Sequence, residues 1–549
     1  MKHYFIRNII ILQISVLSTL FGSVFQVLNG QEVIGGIVNS YAKVTSIGPG
    51  FVIVSDPAQA AQFSPNDYVL LIQMQGVGIQ TVQGSYGENV QSVFGTPGGY
   101  EFLVVQSVNI VTGRIDFTRN TYVSINGYST NSNLQLIRVP FYKSPEVAST
   151  VTCQPWDPST GTGGVVAFLA GGKLTLNADI DVTGRGFSGA QGSAGIGECV
   201  FTNESANNHD SYPLSWNNAG LKGEGISVHD YTGALLYPNH AKGQGRNFSG
   251  GGGGNGRYSG GGGGSNRGKG GDGGLEKYIP GQCGDDPRDG GFGGMGITGT
   301  AVEDGIFAGG GGGASTQSAG STASAGGNGG GIVIIIADTI DARNHFIRAS
   351  GATAQNAVSD AGAGGGGAGG SIALSFQNLF SFLGLAAAGG NGGTNPGGFG
   401  QGGGGGGGLI WLSPATLPAA VSSANVAGGT SGAPLAGGDP GEIRANYFPA
   451  LNGFLFNSIR TAATNNMIDS VCSDTNYGLI IGSQPVGGTP PYTFEWQSSV
   501  TSPSGGFTTA PGNSSQKNYT PPSRLTATTW FRRVVRDYGA TITDISMPV

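Results

Sequence analysis

Charged residues are scarce in this 549-residue chain, and their scarcity excludes one class of partner at the outset. They make up 11% of the sequence, against roughly 25% in an ordinary globular domain, and the formal net charge is −6. A nucleic-acid-binding surface requires clustered Lys and Arg, so no nucleic-acid partner is expected. Hydrophobic residues nevertheless reach 38%, which is too many for a disordered polar tract, and we therefore expect packed cores.

Helical periodicity is also missing, and with it the usual setting of several catalytic motifs. No stretch repeats its apolar residues with the 3.6-residue period of an amphipathic helix. Gly-x-Gly-x-x-Gly strings, as within 243–254, arise by chance where glycine is dense, and without a following helix they do not indicate a nucleotide site. A Gly-x-Ser-x-Gly nucleophile elbow likewise needs a helix behind it. The sequence therefore predicts an all-β protein that is not an enzyme and carries no cofactor.

Residues that bind metals or transfer protons are few and show no ligand spacing. Three histidines lie in one glycine-rich stretch: His209, His229 and His240. We interpret them as solvated loop residues rather than as a metal or acid–base site. Asp179 and Asp181 stand at i and i+2, which indicates a solvated strand face rather than the carboxylate pair of a glycosidase. The acidic segment 285–289 lacks the regular order of a calcium loop, so no metal site is predicted.

The N-terminus has the layout of a secretory signal peptide. Lys2 and Arg7 form a short basic region, and the largely apolar Ile9–Leu28 is followed by small residues such as Gly30. The alternative is a membrane anchor, because the stretch approaches the roughly 20 residues that span a bilayer. Its polar interruptions favour a cleaved signal over 1–30. No second apolar stretch of that length follows, so we expect an extracellular or bacterial cell-surface protein without a membrane span after cleavage.

Residues 31–150 are predicted to form a β-rich N-terminal domain. The apolar runs Phe51–Val54, Tyr68–Ile72 and Phe102–Val105 are bounded by Gly, Pro, Asn and Asp, which is the pattern of strands and turns. The string Pro65–Gly76 resembles a segment common at the N-termini of large exported surface proteins of the Bacteroidetes type. The resemblance implies an exported bacterial context and no particular activity.

Residues 151–450 are predicted to form a glycine-rich repeat domain. Four apolar runs each follow glycines and open a unit of 20 residues that ends on a glycine. The runs are Val165–Leu169, Ile332–Ile336, Ser371–Leu374 and Leu409–Leu412, and the closing glycines are Gly184, Gly351, Gly390 and Gly428. The first two copies are offset by 167 residues, and the last three lie about 40 residues apart, a spacing typical of repeat architectures.

The first unit alternates between apolar and polar side chains. The apolar set is Leu174, Leu176, Ala178, Ile180 and Val182, and the polar set is Lys173, Thr175, Asn177, Asp179 and Asp181. A period of two over ten residues predicts a strand with one buried and one wet face.

Glycine supplies 106 residues, and its uninterrupted tracts need their own explanation. The tracts are 250–254, 260–264, 309–313, 364–367 and 402–408. Two interpretations are open: flexible linkers, because glycine loses the most entropy on ordering, or extended polyglycine-II-like helices packed side by side. The regular spacing of the tracts between apolar strands favours ordered helices. The domain resembles the glycine-rich domain of anaplastic lymphoma kinase-type receptors and the glycine-rich tips of some phage adhesins.

Residues 455–549 are predicted to form a third module. The segments Tyr477–Ile481, Gly487–Trp496 and Thr528–Val535 resemble the immunoglobulin-like repeats of Bacteroidetes surface proteins, including those of gliding-motility adhesins. The resemblance implies a β-sandwich, in which Trp496 suits a central strand and Trp530 begins a late strand.

Together these features predict a secreted cell-surface protein with a structural or adhesive role, which acts through repeated low-charge surfaces whose weak contacts add up. The expected partner is a cell-envelope or extracellular polysaccharide or protein. One alternative is a carbohydrate- or ice-binding protein whose regular wet face matches a repeating ligand. A third alternative is an exported enzyme.

Cys199 and Cys283 are predicted to form a disulfide, with Cys153 as the competing partner of either. Both favoured residues lie in the long insertion between the first two units, and a loop of about 84 residues closed by a disulfide gains roughly 4 kcal/mol by loop-entropy arithmetic. Cys472 belongs to a separate module and is expected to stay unpaired or to bridge between chains. Peptide mapping of the unreduced protein checks this pairing, which a link through Cys153 or a free Cys199 thiol would contradict.

Overall fold

The computed structural model describes residues 32–121, 127–192, 210–216, 219–275, 290–316, 323–357, 361–421, 423–432, 437–462, 477–522 and 525–549. Within these ranges the regular structure is almost entirely β, which confirms the predicted all-β class. The exceptions are one short α-helix, α1 (Pro57–Ala60), and two 3-10 turns, at Thr130–Ser132 and Tyr538–Ala540. The predicted signal peptide over 1–30 lies outside the described residues.

The strands of the N-terminal part are β1 (Glu32–Ile37), β2 (Ser40–Gly48), β3 (Phe51–Val54), β4 (Tyr68–Gln73), β5 (Val77–Ile79), β6 (Val90–Val93), β7 (Tyr100–Asn109), β8 (Arg114–Phe117), β9 (Leu134–Val139), β10 (Phe141–Tyr142) and β11 (Pro145–Thr152). Those of the glycine-rich part are β12 (Val165–Leu176), β13 (Ile180–Asp181), β14 (Ser227–Asp230), β15 (Ile332–Asp341), β16 (Phe346–Arg348), β17 (Ser371–Ser375), β18 (Asn378–Phe380), β19 (Gly384–Ala386), β20 (Leu409–Leu412), β21 (Ser423–Asn425) and β22 (Glu442–Arg444). The C-terminal strands are β23 (Ile459–Thr461), β24 (Ile480–Gly482), β25 (Thr493–Ser499), β26 (Thr508–Thr509), β27 (Trp530–Arg536) and β28 (Thr543–Ile545).

The N-terminal part contains a closed antiparallel barrel of six strands in the order β2-β3-β8-β7-β4-β9. Inward side chains such as Val52, Val69 and Leu103 fill it, and Ala60 of α1 packs against the same core. The alternate residues of β4, such as Leu70, belong to a second core shared with the glycine-rich part. Strand β4 is therefore buried on both faces, which explains why its sequence is a continuous apolar run rather than an alternating one.

The glycine-rich part is built on a stack of parallel strands whose register equals the sequence repeat. Val165 pairs with Ile332, Ile332 with Ser371, and Ser371 with Leu409, so the first residues of the four predicted runs lie side by side in β12, β15, β17 and β20. Strands β13, β16, β19 and β21 form a second parallel column in the same sheet. Strands β1 and β11 from the N-terminal part also join this sheet.

The glycine tracts are ordered, and tract 260–264 shows how. Its successive amides donate to three different segments, and the order then repeats: Gly260 to Gly274, Gly261 to Ala363, Gly262 to Gly252, Gly263 to Gly271 and Gly264 to Gly366. Its carbonyl groups accept from three further segments: from Gly291 at Gly260, from Gly403 at Gly261 and from Gly313 at Gly262. A repeat of three residues without internal hydrogen bonds is that of the polyproline-II helix, and six neighbours make a close-packed array. We call this array the glycine lattice.

At tract 260–264, only glycine fits inside the glycine lattice. A Cβ atom built on Gly261, Gly262 or Gly263 would lie 2.1, 2.3 or 2.0 Å from a carbonyl oxygen of a neighbouring segment. These oxygens belong to the backbone, which cannot rotate away as a flexible side chain can. The tract glycines 260–264 also keep out of the left-handed region of φ, so close approach and not turn geometry selects glycine here.

The C-terminal module has a four-stranded antiparallel sheet, β26-β25-β27-β28, and a two-stranded sheet, β23-β24. Trp496 is fully buried in β25, and its ring stacks on Tyr519 at 5.4 Å between centroids. Trp530 begins β27, as the sequence predicts. Arg460 of β23 donates to Asp338 of β15 at 2.5 Å, and this buried ion pair joins the module to the parallel stack.

We expect Gly263→Ala to destabilise the protein by about 2 kcal/mol or more, because overpacking costs about 1–3 kcal/mol and the obstructing atom is backbone. The matched control is Gly505→Ala, because a Cβ at Gly505 meets its nearest atom at 3.7 Å and its φ is unexceptional. That control should be neutral or slightly stabilising through the unfolded state. Denaturant titrations measure both, and equal midpoints for the two variants would refute the close-packed array.

Candidate functional site

The insertion between the first two repeat units contains Lys222 and the histidines His209, His229 and His240. Its hairpin strand β14 pairs in parallel with β5, so the insertion docks on a small sheet, β14-β5-β6, formed with the N-terminal part. Residues 210–216 approach the same region, where the side chain of Gln83 donates to the carbonyl group of Ser211 at 3.1 Å. Residues 210–216 and the β14 hairpin therefore both pack against the N-terminal part beside β5 and β6.

A buried lysine lies beneath this surface. The Nζ atom of Lys222 is 3.4 Å from the ring centroid of Tyr86 and has no hydrogen-bond partner. Burial lowers the pKa of Lys222 well below its usual value, although the negative charge of Asp210 opposes the shift. Burial raises the pKa of Tyr86. Burial thus disfavours the charged form of the Lys222 amine, which faces the ring of Tyr86.

Two of the three histidines that the sequence analysis assigned to solvated loops are packed into the insertion, which corrects that interpretation. His229 is 5% exposed and its ring lies 4.8 Å from that of Phe94. The Nδ1 atom of His240 lies 2.6 Å from the hydroxyl oxygen of Ser211. Burial lowers the pKa of both imidazoles, so both favour the neutral form. His209 lies outside the described residues.

Five large apolar residues on two segments of this region are 38% to 65% exposed: Leu214, Trp216, Tyr231, Leu235 and Tyr237. The two segments are joined by the bond from the amide of Leu214 to the Pro238 carbonyl at 2.9 Å. We call these five residues the aromatic platform. The ring of Trp216 also stacks on Tyr212 at 5.1 Å with an interplanar angle of 7°. No sequence pattern indicated this surface, because its two loops meet only through contacts that the fold creates.

The carboxylates of the first repeat unit are hydrogen-bonded within the protein. Asp179 accepts hydrogen bonds from the amide of Phe346 at 2.9 Å, from His345 and from Arg348. Burial acts to raise the pKa of Asp179, but these bonds outweigh it and lower the pKa. Asp181 instead accepts from the amide of Thr183 at 2.8 Å. Both groups are bonded within the protein, as in a structural polar ladder.

The predicted wet face of the first unit is only partly wet, which is a second correction. Thr175 is fully buried, and Lys173, Asn177, Asp179 and Asp181 are half-buried. Arg343 donates to the Asn177 amide oxygen at 2.6 Å and pairs with Asp341 of β15 at 3.5 Å. Polar side chains of the adjacent layer therefore cover part of this face, a packing that one strand's alternation does not reveal.

Cys153 is a buried free thiol, and burial raises its pKa to about 12, so it is not an activated nucleophile. The predicted Cys199–Cys283 pairing remains a prediction, because both cysteines, together with Cys472 and segment 285–289, lie outside the described residues. Among the residues that the structure describes, no cluster of three metal-ligating side chains is found.

A cleft of about 840 Å³ lies where the ends of β17 and β20 face the C-terminal module. Its polar groups are engaged within the protein. The side-chain amide of Asn452 donates to Glu101 at 2.6 Å, the hydroxyl group of Tyr492 donates to the Gly487 carbonyl at 2.7 Å, and Asp537 accepts from the Ile542 amide at 2.7 Å. These three side chains of the cleft are thus already bonded within the protein.

Comparison with known proteins gives one family match. Residues 461–549, which hold most of the C-terminal module, match the model of a domain of unknown function (DUF8696). No curated protein and no solved structure matches the chain. Within the described ranges, no helix is long and apolar enough to cross a membrane.

Replacing Lys222 by Met should stabilise the protein near neutral pH. The folded-state pKa of Lys222 is lowered, so between that value and about 10.5 the unfolded chain binds an extra proton and wild-type stability rises with pH. Met keeps the unbranched shape without the amine, and we expect about 1–3 kcal/mol of added stability at pH 7, the usual penalty for a buried polar group without a hydrogen-bond partner.

Denaturant titrations at pH 7 and pH 9.5 measure this effect, with Lys173→Met on the half-buried face of β12 as the matched control. The advantage of Lys222→Met should shrink as the pH rises. An unchanged stability difference at the two pH values would contradict the assignment.

Proposed function

We propose that this protein is a secreted structural or adhesive protein of the bacterial cell surface. The observation that carries the proposal is the glycine lattice, in which each turn of tract 260–264 is hydrogen-bonded to six neighbouring segments. Such an array is stiff in all directions across its helices and presents almost no charge. A stiff, nearly uncharged body that holds loops in fixed places suits a role in which the protein bears load or presents a contact surface.

The alternatives receive less support. Ice binding relies on a regular, exposed array of Thr and Asn, whereas Thr175 is buried and Asn177 is half-buried and bonded to Arg343. For an exported enzyme, Asp179 and Asp181 are the carboxylate pair to consider, and both are engaged in structural hydrogen bonds. Carbohydrate binding remains compatible with an adhesive role, since a glycan is one kind of surface to which an adhesin attaches.

A deletion strain tests the proposal. External protease added to intact wild-type cells should digest the protein, and deletion should lower attachment to a solid surface or weaken the envelope against detergent. Complementation with the wild type or with Gly505→Ala should restore the phenotype, and Gly263→Ala should restore it less. A protein protected inside intact cells, or a deletion that changes neither attachment nor envelope integrity, would refute the proposal.

A further inference from the structure

We infer that the aromatic platform binds a neutral oligosaccharide, an inference that rests on the proposed adhesive function and names its ligand class. The residues Trp216, Tyr231 and Tyr237 are 39%, 55% and 65% exposed. A flat ring face packs against the C–H face of a pyranose, and a tyrosine hydroxyl group at the ring edge bonds to sugar hydroxyls. Tyr212 covers one face of the Trp216 ring, whereas Tyr231 and Tyr237 are more than half exposed. Exposed aromatic residues with polar tips therefore match both parts of a sugar surface.

The platform is held in place before a ligand arrives. The amide of Leu214 donates to the Pro238 carbonyl at 2.9 Å, and the Nζ atom of Lys242 donates to the Trp216 carbonyl at 2.5 Å. In the hairpin, Asp230 accepts from the amides of Thr232 and Ala234 at 2.8 and 3.0 Å. Binding to preordered loops loses little conformational entropy, and Tyr and Trp side chains have few torsions to fix.

Two charged side chains of the described residues beside the platform, Asp230 and Lys242, are already engaged, which favours a neutral ligand over an anionic one. The Oδ1 atom of Asp230 accepts hydrogen bonds from the amide and the hydroxyl group of Thr232 and so caps the hairpin turn. Lys242 is bonded to the Trp216 carbonyl, and burial lowers the pKa of its amine. The five platform side chains themselves are uncharged. An acidic polysaccharide would therefore gain little electrostatic attraction here.

The area of the platform favours a small ligand over a protein partner. Aromatic side chains bury about 150–250 Å² each, so at the observed exposures the five residues offer on the order of 500 Å². A stable protein interface buries about 800 Å² on each partner. A chain of a few sugar rings fits the smaller figure, and repetition of the protein over a cell surface then supplies avidity.

The test uses the full exported chain and five probes: cellohexaose, maltohexaose, xylohexaose and chitohexaose as neutral sugars, and hexagalacturonate as an anionic one. We expect saturable binding of at least one neutral hexasaccharide by calorimetry, with a change in tryptophan fluorescence. The double variant Tyr231→Ala/Tyr237→Ala should lose at least tenfold in affinity. Tyr538→Ala is the matched control, because Tyr538 is 68% exposed in the C-terminal module, and it should bind like the wild type.

Three results would overturn the inference: no binding of any neutral hexasaccharide, binding that survives the double variant while its fold is intact, or binding of hexagalacturonate alone. Loss of self-association in the double variant, seen by sedimentation, would assign the platform to a second copy of the chain instead.

A cell-attachment assay distinguishes failure of this inference from failure of the proposed function. If the double variant attaches like the wild type but the deletion strain does not, only the platform assignment fails; if the deletion strain attaches normally, the adhesive function itself fails.

Discussion

The structure depends on one constraint: a buried backbone amide must find an acceptor, and a glycine tract has no side chain to supply one. In the glycine lattice the usual acceptor is the carbonyl group of a neighbouring segment, as in the bonds from Gly365 to Gly313 and from Gly366 to Gly403. At these tract glycines the backbones approach closely enough to leave no room for a Cβ atom. The requirement for hydrogen bonding thus fixes both the spacing of the segments and their composition.

The parallel strands set the register of the lattice. The amide of Leu409, the first residue of β20, donates to the carbonyl of Gly370, and the amide of Gly369 donates to Gly406 one turn earlier. The strand ladder and the glycine helices are therefore continuous across each junction. A shift of one residue in the apolar strands would misplace every glycine that precedes them, so strand register and glycine position constrain each other.

This mutual constraint explains which parts of the fold could be predicted. The offset between Val165 and Ile332 is visible in the sequence and equals the register of β12 and β15, because a repeat records the pairing directly. The bounds of β3 were also predictable, since turn residues flank its apolar run. The contacts of Lys222 with Tyr86 and of His229 with Phe94 were not, because they join an insertion to residues beside β6 that lie more than a hundred positions earlier. Neither composition nor periodicity predicts such long-range contacts.

The insertion also shows how a chain poor in charge and rich in glycine presents a fixed surface. An insertion of more than a hundred residues would ordinarily be mobile, because loop closure fixes only its ends. Here tracts 250–254, 260–264 and 309–313 return to the lattice, where Gly254 donates to Ala314 and Gly313 to Gly262. Each return divides the insertion into shorter loops that are anchored at both ends. The loop from 225 to 250, which carries Tyr231 and Tyr237, is anchored in this way, since Gly223 donates to Gly251 and Gly225 accepts from the side chain of Gln75. The same backbone bonds that exclude side chains from the lattice thus hold exposed side chains in place at its margin.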